Sequence, residues 1–413
     1  MRALIVDPAV HARGGHHHAA VKRLQAELTQ LGIEAPCVGS TFATPDIDLV
    51  CIPSFGSSVY GRDYSGSNQY ESRVAQMSRE LSRALRRHGV WPDILILPCC
   101  DQVLAASVAQ VLRRNPLKPA PQILMWLLYG PHHLLAPEDR AAETFASESR
   151  GAFTSLLEAV GERRRIAAYC ETEAMGAFYR RLLPFDVNVE PGPGMALSVA
   201  PRAARPAHHR PNVTMIGFAN RAKGYRLLPE AILKVLPQDS TSTFTIHGIV
   251  AGSDAEDEAW IFDRLGALGP RVASRRDVLE EADYLRLLSR ADLLLLPYDP
   301  DIYRSRGSGV VTTARRLGIP IVAPSECAFA RPAFDEGWGV AFSSYGAEGL
   351  ADTIVEALGR LDVLRTHASA IAAGTKDELS SILQATVEAA RARRRHAVAD
   401  TIRGLLGRAL QAE

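Results

Sequence analysis

The sequence lacks the features that mark secreted, membrane-spanning and nucleic-acid-binding proteins. It has 6 cysteines in 413 residues, and only Cys99 and Cys100 are close together, so no disulfide framework or paired metal-ligand spacing is evident. No apolar run reaches the roughly 20 residues of a membrane span, and the N-terminus shows no signal-peptide cleavage pattern. The 47 basic and 46 acidic residues nearly cancel, which argues against bulk nucleic-acid binding. We therefore expect a cytoplasmic protein with no nucleic-acid partner.

What the sequence does contain is a regular alternation of strand-like and helix-like segments. The runs ILMWLLYG (123–130) and ADLLLLPY (291–298) are apolar throughout and of strand length, which is typical of parallel strands buried on both faces. Helical patterns separate the runs, and this order favours an α/β fold with doubly wound sheets. In the first half, strands are predicted at 3–6, 48–53, 93–98, 122–129 and 166–170, and helices at 18–32, 70–88, 104–113 and 147–160.

The length and one proline-rich segment predict two domains and a C-terminal extension. A chain of 413 residues is too long for one ordinary hydrophobic core. The segment SVAPRAARPAHHRP (198–211) has no periodicity and is interpreted as a linker, after which the alternation starts again. The predicted domains are 1–200 and 201–375, and residues 376–413 form a polar helical segment.

Two arginine-rich helical segments leave alternatives open. The C-terminal segment contains RARRRH (391–396), and a second helix carries Arg79, Arg83, Arg86 and Arg87. Each pattern is typical of a solvated helix face, and each also fits contact with a membrane surface or a partner. Peripheral contact at the inner membrane face is therefore a second expectation for localisation.

Two basic segments of the C-terminal half could hold a diphosphate. MIGFANRAKG (215–224) is a strand followed by a loop with Arg221 and Lys223, and YRSRGSG (303–309) places Arg304 and Arg306 beside a Gly-Ser-Gly turn. Backbone N–H groups at such a turn and at a helix start can approach phosphate oxygens, and the cations can offset charge on a leaving phosphate. The alternatives are a solvated basic loop and a structural turn with exposed arginines.

These segments, taken in order, resemble the donor domain of GT-B glycosyltransferases, in particular the retaining family 4 type. The matching motifs are Lys223-Gly224, the apolar run from Asp292 to Pro297, the glycines at 307–309, and Gly318-Ile319-Pro320-Ile321. The N-terminal half also fits, with Gly14-Gly15 after the first strand, Leu31 to Ile33 at the end of the first helix, and CETEAMGAFY (170–179) before the domain crossover.

The resemblance implies a GT-B fold, in which two Rossmann-like domains face each other across a cleft. It also implies a glycosyltransferase that moves a sugar from a nucleotide-diphosphate donor to a glycan, lipid-linked or protein acceptor. The C-terminal domain would bind the donor and the N-terminal domain the acceptor. Transfer would retain the anomeric configuration and would need no metal and no cofactor, because positive side chains would stabilise the leaving diphosphate.

One departure from the family pattern concerns two glutamates at the ends of a nine-residue window. Alignment on Gly318-Ile319-Pro320 places Ser305 and Thr313 at these positions. In the family, the second glutamate binds the ribose and the first lies near the transferred sugar. A neutral hydroxyl binds a ribose diol more weakly than a carboxylate does. We therefore expect the ribose to be recognised in another way, and Tyr298, Asp299 and Asp301 are candidates for the missing carboxylate function.

In the N-terminal half, the resemblance points to a glycine loop and two histidines. Gly15 and His16 would contact the donor or acceptor, and His132, after the strand at 122–128, would contact the sugar donor or the acceptor. The alternative for His132 is a loop histidine that caps a helix. The adjacent histidines 16–18 could suggest a metal, but no ligand spacing accompanies them. Glu171 and Glu173 also follow a strand, and capping of the next helix by Thr172 or Glu171 is favoured over a catalytic role.

The complete prediction for the site contains two sets of residues and no metal. The predicted catalytic residues are His132, Arg221 and Lys223. The predicted donor-binding residues are Gly15, His16, Arg221, Lys223, Arg304, Ser305, Arg306, Gly307, Ser308, Gly309 and Thr313. The alternative function is a catalytically decayed GT-B protein that binds a glycan or a partner, and a nucleotide-sugar epimerase is a third reading. That third chemistry needs carboxylates near the sugar, and few are found.

Overall fold

The computed structural model shows a chain that groups into two compact units. The first unit comprises Met1–Cys170, Gly176–Met195 and Asp377–Glu413, and the second comprises Glu171–Met175 and Ala196–Lys376. The structure describes residues 1–13, 15–44, 46–56, 67–89, 91–128, 130, 139–194, 209–250, 255–376 and 378–410, with the backbone alone for 67, 68, 88, 139–142, 255–258, 397, 398 and 400–410.

The first unit contains a seven-stranded parallel sheet. Its strands pair in the order β3-β2-β1-β4-β5-β6-β7, so the order reverses between β1 and β4. The central strands are buried along their whole length, which explains their unbroken apolar sequences. The strands are β1 (Ala3–Val6), β2 (Cys37–Ser40), β3 (Cys51–Phe55), β4 (Ile94–Cys100), β5 (Gln122–Leu127), β6 (Ile166–Cys170) and β7 (Val187–Val189).

The helices that follow the first strands alternate with them along the chain. They are α1 (Gly15–Gln30), α2 (Ser67–His88), α3 (Gln102–Arg113), α4 (Asp139–Val160) and α5 (Glu173–Leu182). Helix α3 begins after Asp101, whose carboxylate accepts the backbone N–H of Leu104 at 2.8 Å and so caps the helix. The core under β1 and β5 includes Leu24, Trp126 and Leu383.

The second unit contains a six-stranded parallel sheet of the same design. Its strands pair in the order β10-β9-β8-β11-β12-β13, and the order reverses between β8 and β11. The strands are β8 (Asn212–Phe218), β9 (Thr243–Ile249), β10 (Val272–Arg275), β11 (Leu293–Leu295), β12 (Ile321–Pro324) and β13 (Gly339–Phe342). Residues of all six strands share one hydrophobic core.

The helices of the second unit cover this sheet, and the last helix of the chain groups with the first unit. The helices are α6 (Leu228–Val235), α7 (Ala255–Gly266), α8 (Glu281–Arg290), α9 (Pro300–Tyr303), α10 (Gly309–Leu317), α11 (Arg331–Asp335), α12 (Ala347–Gly359), α13 (Leu361–Gly374) and α14 (Glu378–Leu410). None of the helices in the described part of the chain is long and apolar enough to cross a bilayer.

The α/β class and the doubly wound sheets are confirmed, whereas several short strands escaped prediction. Strands β2, β7, β10 and β13 have 4, 3, 4 and 4 residues, too short for a periodic pattern to stand out. The strand predicted at 48–53 is β3 and begins three residues later. The predicted domain boundary lies at residue 200, and the units change at Met195. The predicted segment 376–413 corresponds to α14, which groups with the first unit.

Candidate functional site

The predicted basic segments of the second unit lie where the strand order of its sheet reverses. Lys223 follows β8, and Tyr298 follows β11, the neighbouring strand in the sheet. Ligands of open parallel sheets bind beyond the carboxyl ends of the strands at such a reversal. The topology therefore places these residues at the ligand-binding edge of the sheet.

The loop after β8 consists of two short 3₁₀ turns, with residues 221–223 in the first turn. The side chain of Asn220 accepts the backbone N–H of Lys223 at 3.1 Å and fixes the start of this turn. Gly224 then takes a left-handed conformation with φ of 71°, and a Cβ there would lie 1.8 Å from the carbonyl oxygen of Pro297. Only glycine allows this close approach, which brings the loops after β8 and β11 together.

Lys223 is the central cation of the site. Its side chain is partly buried, and its Nζ lies 5.5 Å from the ring centroid of Tyr298. Burial, and then the positive charge of Arg306, lower the pKa of Lys223 to about 8. No carboxylate in the described part of the chain forms an ion pair with this ammonium. Two cations that lie close together without a counter-ion form a place where an anion is favoured.

Two buried tyrosines pack against these cations. Tyr298 and Tyr303 are buried, and their ring centroids are 4.6 Å apart. The guanidinium carbon of Arg306 lies 4.5 Å from the ring centroid of Tyr303. Burial raises the pKa of both tyrosines, so their hydroxyls stay neutral near neutral pH. Each cation therefore lies over an aromatic ring, a contact that orients it without neutralising its charge.

The Gly-Ser-Gly turn leads into helix α10. In the described part of the chain, the backbone N–H groups of Gly307, Ser308 and Gly309 donate no hydrogen bond. Ser308 is the N-cap residue, but its side chain accepts no helix N–H. The turn thus combines unused N–H donors with the positive end of a helix dipole, as an anion site requires.

Glu171 lies directly against this turn. A Cβ at Gly307 would lie 1.9 Å from Oε2 of Glu171 and 2.5 Å from its Cβ, so the approach depends on a glycine. The neighbouring Thr172 donates its hydroxyl to the carbonyl oxygen of Ser305 at 2.5 Å and also accepts the N–H of Met175 at 3.2 Å. The helix-cap interpretation of Thr172 is therefore confirmed. The same hydroxyl also binds the YRSRGSG segment through the carbonyl oxygen of Ser305.

The hydroxyls of Ser305 and Thr313 both point into the protein. The hydroxyl of Thr313 donates to the carbonyl oxygen of Gly309 at 2.9 Å, and the residue is buried. The hydroxyl oxygen of Ser305 is buried and has no partner among the described residues. Contact of Ser305 and Thr313 with the donor stays a prediction.

The remaining cations and acids of these loops are more exposed. Arg304 forms an exposed ion pair with Asp301 at 3.7 Å, which distinguishes it from the partly buried Arg306. Arg221 is exposed as well. The carboxylate of Asp299 accepts the N–H of Asp301 at 3.0 Å and so caps helix α9.

In the first unit, the glycine loop opens helix α1 beside a buried acid. Gly15 has φ of 72°, and His16 is exposed with its ring 4.0 Å from that of His17. Nδ1 of His17 lies 2.8 Å from the buried carboxylate of Asp7, which directly follows β1. Donor contacts of Gly15 and His16 stay predictions, and His132 lies outside the described residues.

The described ranges contain no group of three or more His, Cys, Asp or Glu side chains that could hold a metal ion. The histidines at 16–18 diverge, because Nε2 of His18 contacts Asp48 at 2.6 Å while His17 contacts Asp7. The described side chains of these three neighbours therefore do not converge on one point.

Comparison with known proteins identifies the architecture. No protein-family model and no curated protein matches the sequence. Among solved structures, sucrose-phosphate synthase from Thermosynechococcus elongatus is similar over 97% of this chain and 100% of its own, with a TM-score of 0.68 and 15% identity. The chain has the GT-B fold.

Two further GT-B structures support this assignment. Anabaena HepE, solved in complex with UDP and glucose, is similar over 94% of this chain and 99% of its own, with a TM-score of 0.61 and 16% identity. WaaG, a glycosyltransferase involved in lipopolysaccharide biosynthesis, is similar over 94% of this chain and 98% of its own, with a TM-score of 0.59 and 15% identity. The predicted resemblance to GT-B proteins is confirmed at the level of fold.

Sequence reasoning missed the aromatic support of the site and the approach of Glu171. Tyr298 was considered only as a substitute for a carboxylate, whereas it lies under Lys223 as a buried ring. The available signal was the spacing of Tyr298, just before the short helix α9, and Tyr303, the last residue of that helix. Nothing in the sequence near Glu171 indicates Gly307 as its neighbour, because 136 positions separate them.

Proposed function

We propose that the protein is a glycosyltransferase that takes a sugar from a nucleoside-diphosphate donor and transfers it to an acceptor hydroxyl. The observation that carries this proposal is the pair Lys223 and Arg306, which lie close together over two buried tyrosines and have no carboxylate partner in the described chain. A diphosphate supplies the negative charge that this place favours. The unused N–H groups of the Gly-Ser-Gly turn support the same ligand.

The cations would also stabilise the transition state of the reaction. Negative charge grows on the diphosphate as its bond to the sugar breaks, and fixed cations stabilise that charge more in the transition state than in the ground state. Lys223 and Arg306 would do this work, with Arg221 as an exposed third cation. We propose transfer with retention of configuration and without a metal ion, as in the family that the sequence resembles. Product NMR that shows an inverted anomeric configuration would contradict the first point.

A thermal-shift screen tests the donor site directly. Purified protein is heated with UDP, GDP, ADP, CMP or TDP and with their common sugar conjugates. We expect one nucleoside diphosphate to raise the melting temperature, and we expect this rise to disappear in Lys223→Ala. Lys234→Ala is the matched control, since Lys234 is an exposed lysine of α6 that pairs with Glu230 at 3.8 Å.

One observation favours a second candidate, a GT-B protein that binds a glycan or a partner without catalysis. The inward-turned Ser305 and Thr313 leave both glutamate positions without a charged ligand for the donor. If no nucleotide at millimolar concentration raises the melting temperature, binding without catalysis becomes the better supported function.

A further inference from the structure

The arginine-rich run at 391–396 divides into two sets of side chains on helix α14. Arg393 donates from Nη2 to Oε1 of Gln122 on β5, and burial followed by the charge of Arg165 lowers the pKa of its guanidinium. Arg391, Arg394 and Arg395 are exposed instead and line an open cavity of about 630 Å³. One arginine of the run therefore anchors the helix, and three surround a cavity.

The cavity belongs wholly to the first unit and has a mixed lining. Positions 391, 394 and 395 share a face of α14, because residues three and four apart are neighbours on a helix. The partly buried Met1 contributes apolar surface to the same cavity, with the buried Ile33 behind it. The site thus combines guanidinium groups with a small apolar wall.

The charges of this cavity are poorly neutralised. Nη2 of Arg391 donates weakly to the carbonyl oxygen of Leu31 at 3.4 Å. Nη1 of Arg394 lies 3.8 Å from Asp93, whose carboxylate already accepts the backbone N–H of Arg2 at 2.8 Å.

Arg395 forms no ion pair within the part of the chain that the structure describes. Like charges at Arg391 and Arg395, one helical turn apart, destabilise a helix. An anion that contacts both would remove this repulsion.

We propose that this cavity binds a phosphate-bearing ligand between Arg391 and Arg395, with the apolar part of the ligand against Met1. A guanidinium presents a planar pair of N–H donors that matches two phosphate oxygens, and the contact is charge-assisted. A phospholipid headgroup and a soluble phosphate ester share this chemistry. The site lies in a different unit from Lys223 and does not depend on the proposed donor site.

Isothermal titration with sodium pyrophosphate tests the cavity. Two binding events are expected in the wild type, because pyrophosphate fits both the donor loops and this cavity. Arg391→Gln/Arg395→Gln should weaken one event by about tenfold or more, as loss of charge-assisted hydrogen bonds predicts. Lys223→Ala should weaken only the other event, so failure of the donor site and failure of the cavity are distinguishable.

A matched double variant controls for the general loss of positive charge. Arg331→Gln/Arg360→Gln removes two arginines of the second unit that are 71% and 55% exposed, and it should leave both events unchanged. Far-ultraviolet circular dichroism of each variant checks that α14 remains helical.

Co-sedimentation with vesicles identifies the source of the phosphate. Vesicles of phosphatidylcholine are compared with vesicles that also contain phosphatidylglycerol. Binding to the anionic vesicles that Arg391→Gln/Arg395→Gln abolishes supports a lipid headgroup, and loss of pyrophosphate binding without vesicle binding supports a soluble ester. The proposal is overturned if this variant matches the wild type in both experiments, or if the wild type shows only the event that Lys223→Ala removes and no vesicle binding.

Discussion

The Nζ atom of Lys223 lies 5.5 Å from the ring centroid of Tyr298, a side chain that is only 1% exposed. The contact joins the loop after β8 to the loop after β11 at the point where the strand order reverses. An aromatic face attracts an ammonium without taking its charge, so the lysine can still bind an anion. Because the charge of Lys223 is kept, we expect affinity for an anionic ligand to depend on the protonation of this lysine.

Nucleotide affinity should therefore fall as the pH rises through the pKa of Lys223, about 8. The ammonium is charged below this pKa and binds phosphate, whereas the neutral amine above it does not. A bound phosphate raises the pKa, so we expect affinity to fall about tenfold between pH 7 and pH 9. Titration calorimetry at several pH values measures this loss. Lys223→Met should bind weakly at every pH, and an equally steep profile in this variant would refute the assignment.

The same lysine should lower the stability of the free protein. Its pKa is lower in the folded state than the ordinary 10.5, so folding disfavours the charged form. The penalty is complete below about pH 8 and disappears as the pH rises towards 10.5. Lys223→Met should raise the free energy of unfolding at pH 7 by on the order of 1–2 kcal/mol. Urea denaturation at pH 7 and pH 10 measures the difference, and a destabilised variant at pH 7 would contradict it.

The two arginines of the YRSRGSG segment should differ in their effect on donor binding. Arg306 is partly buried over Tyr303 and lowers the pKa of Lys223, whereas Arg304 is exposed and pairs with Asp301. Arg306→Ala should weaken nucleoside-diphosphate binding by about tenfold or more, and Arg304→Ala by much less, because exposed ion pairs contribute little. The dissociation constants of both variants for the nucleotide found in the screen measure this difference. Equal losses would show that both guanidiniums contact the ligand.

Gly307→Ala should distort the Gly-Ser-Gly turn, and Gly309→Ala should not. The new Cβ at position 307 would lie 2.5 Å from Cβ of Glu171, a clash that no rotamer of the glutamate relieves, whereas nothing lies within 4 Å at position 309. Overpacking of this kind typically costs about 1–3 kcal/mol. Chemical denaturation measures stability, and nucleotide binding measures the turn. If Gly307→Ala has the stability and the nucleotide affinity of the wild type, Glu171 does not lie against the turn in solution.

Asp292 should be essential for the stability of the second unit. Its buried carboxylate contacts Nε2 of His209 at 2.7 Å, the N–H of Asn212 at 2.8 Å and Nη2 of Arg365 at 2.6 Å. Asp292→Asn leaves Arg365 without its buried partner and should lower the free energy of unfolding by about 3 kcal/mol.

Asp362→Asn is the matched control for this variant. Asp362 pairs with the same Arg365 at 3.5 Å but is 99% exposed, so no measurable change is expected. Comparable unfolding midpoints for the two variants would mean that the buried network contributes little.

Retained activity in EDTA would support a reaction that relies on Lys223 and Arg306 rather than on a divalent ion. Activity is measured with the donor found in the screen, before and after exhaustive chelation. A strict requirement for added Mg²⁺ or Mn²⁺ would contradict this part of the proposal.

Prediction from the sequence succeeded where the signal is local. The long buried strands β4 and β5 are mainly apolar runs that stand out in the sequence. The cations at 221, 223, 304 and 306 follow strands in an order that indicates an anion site, and that site stays a prediction. The short edge strands β7 and β13 have too few residues to show a period. The different environments of Arg304 and Arg306 could not be predicted from the sequence either, because the residues around the two arginines are similar.

The sequence by itself therefore determined the α/β alternation, the presence of two sheets and the basic character of the loops after β8 and β11, since each depends on near neighbours in the chain. Tertiary structure alone decided which cation lies beside which. The approach of Lys223 to Tyr298 follows from the pairing of β8 with β11, and the contact of Glu171 with Gly307 joins segments far apart in sequence. Chain folding sets these distances, and no local pattern encodes them.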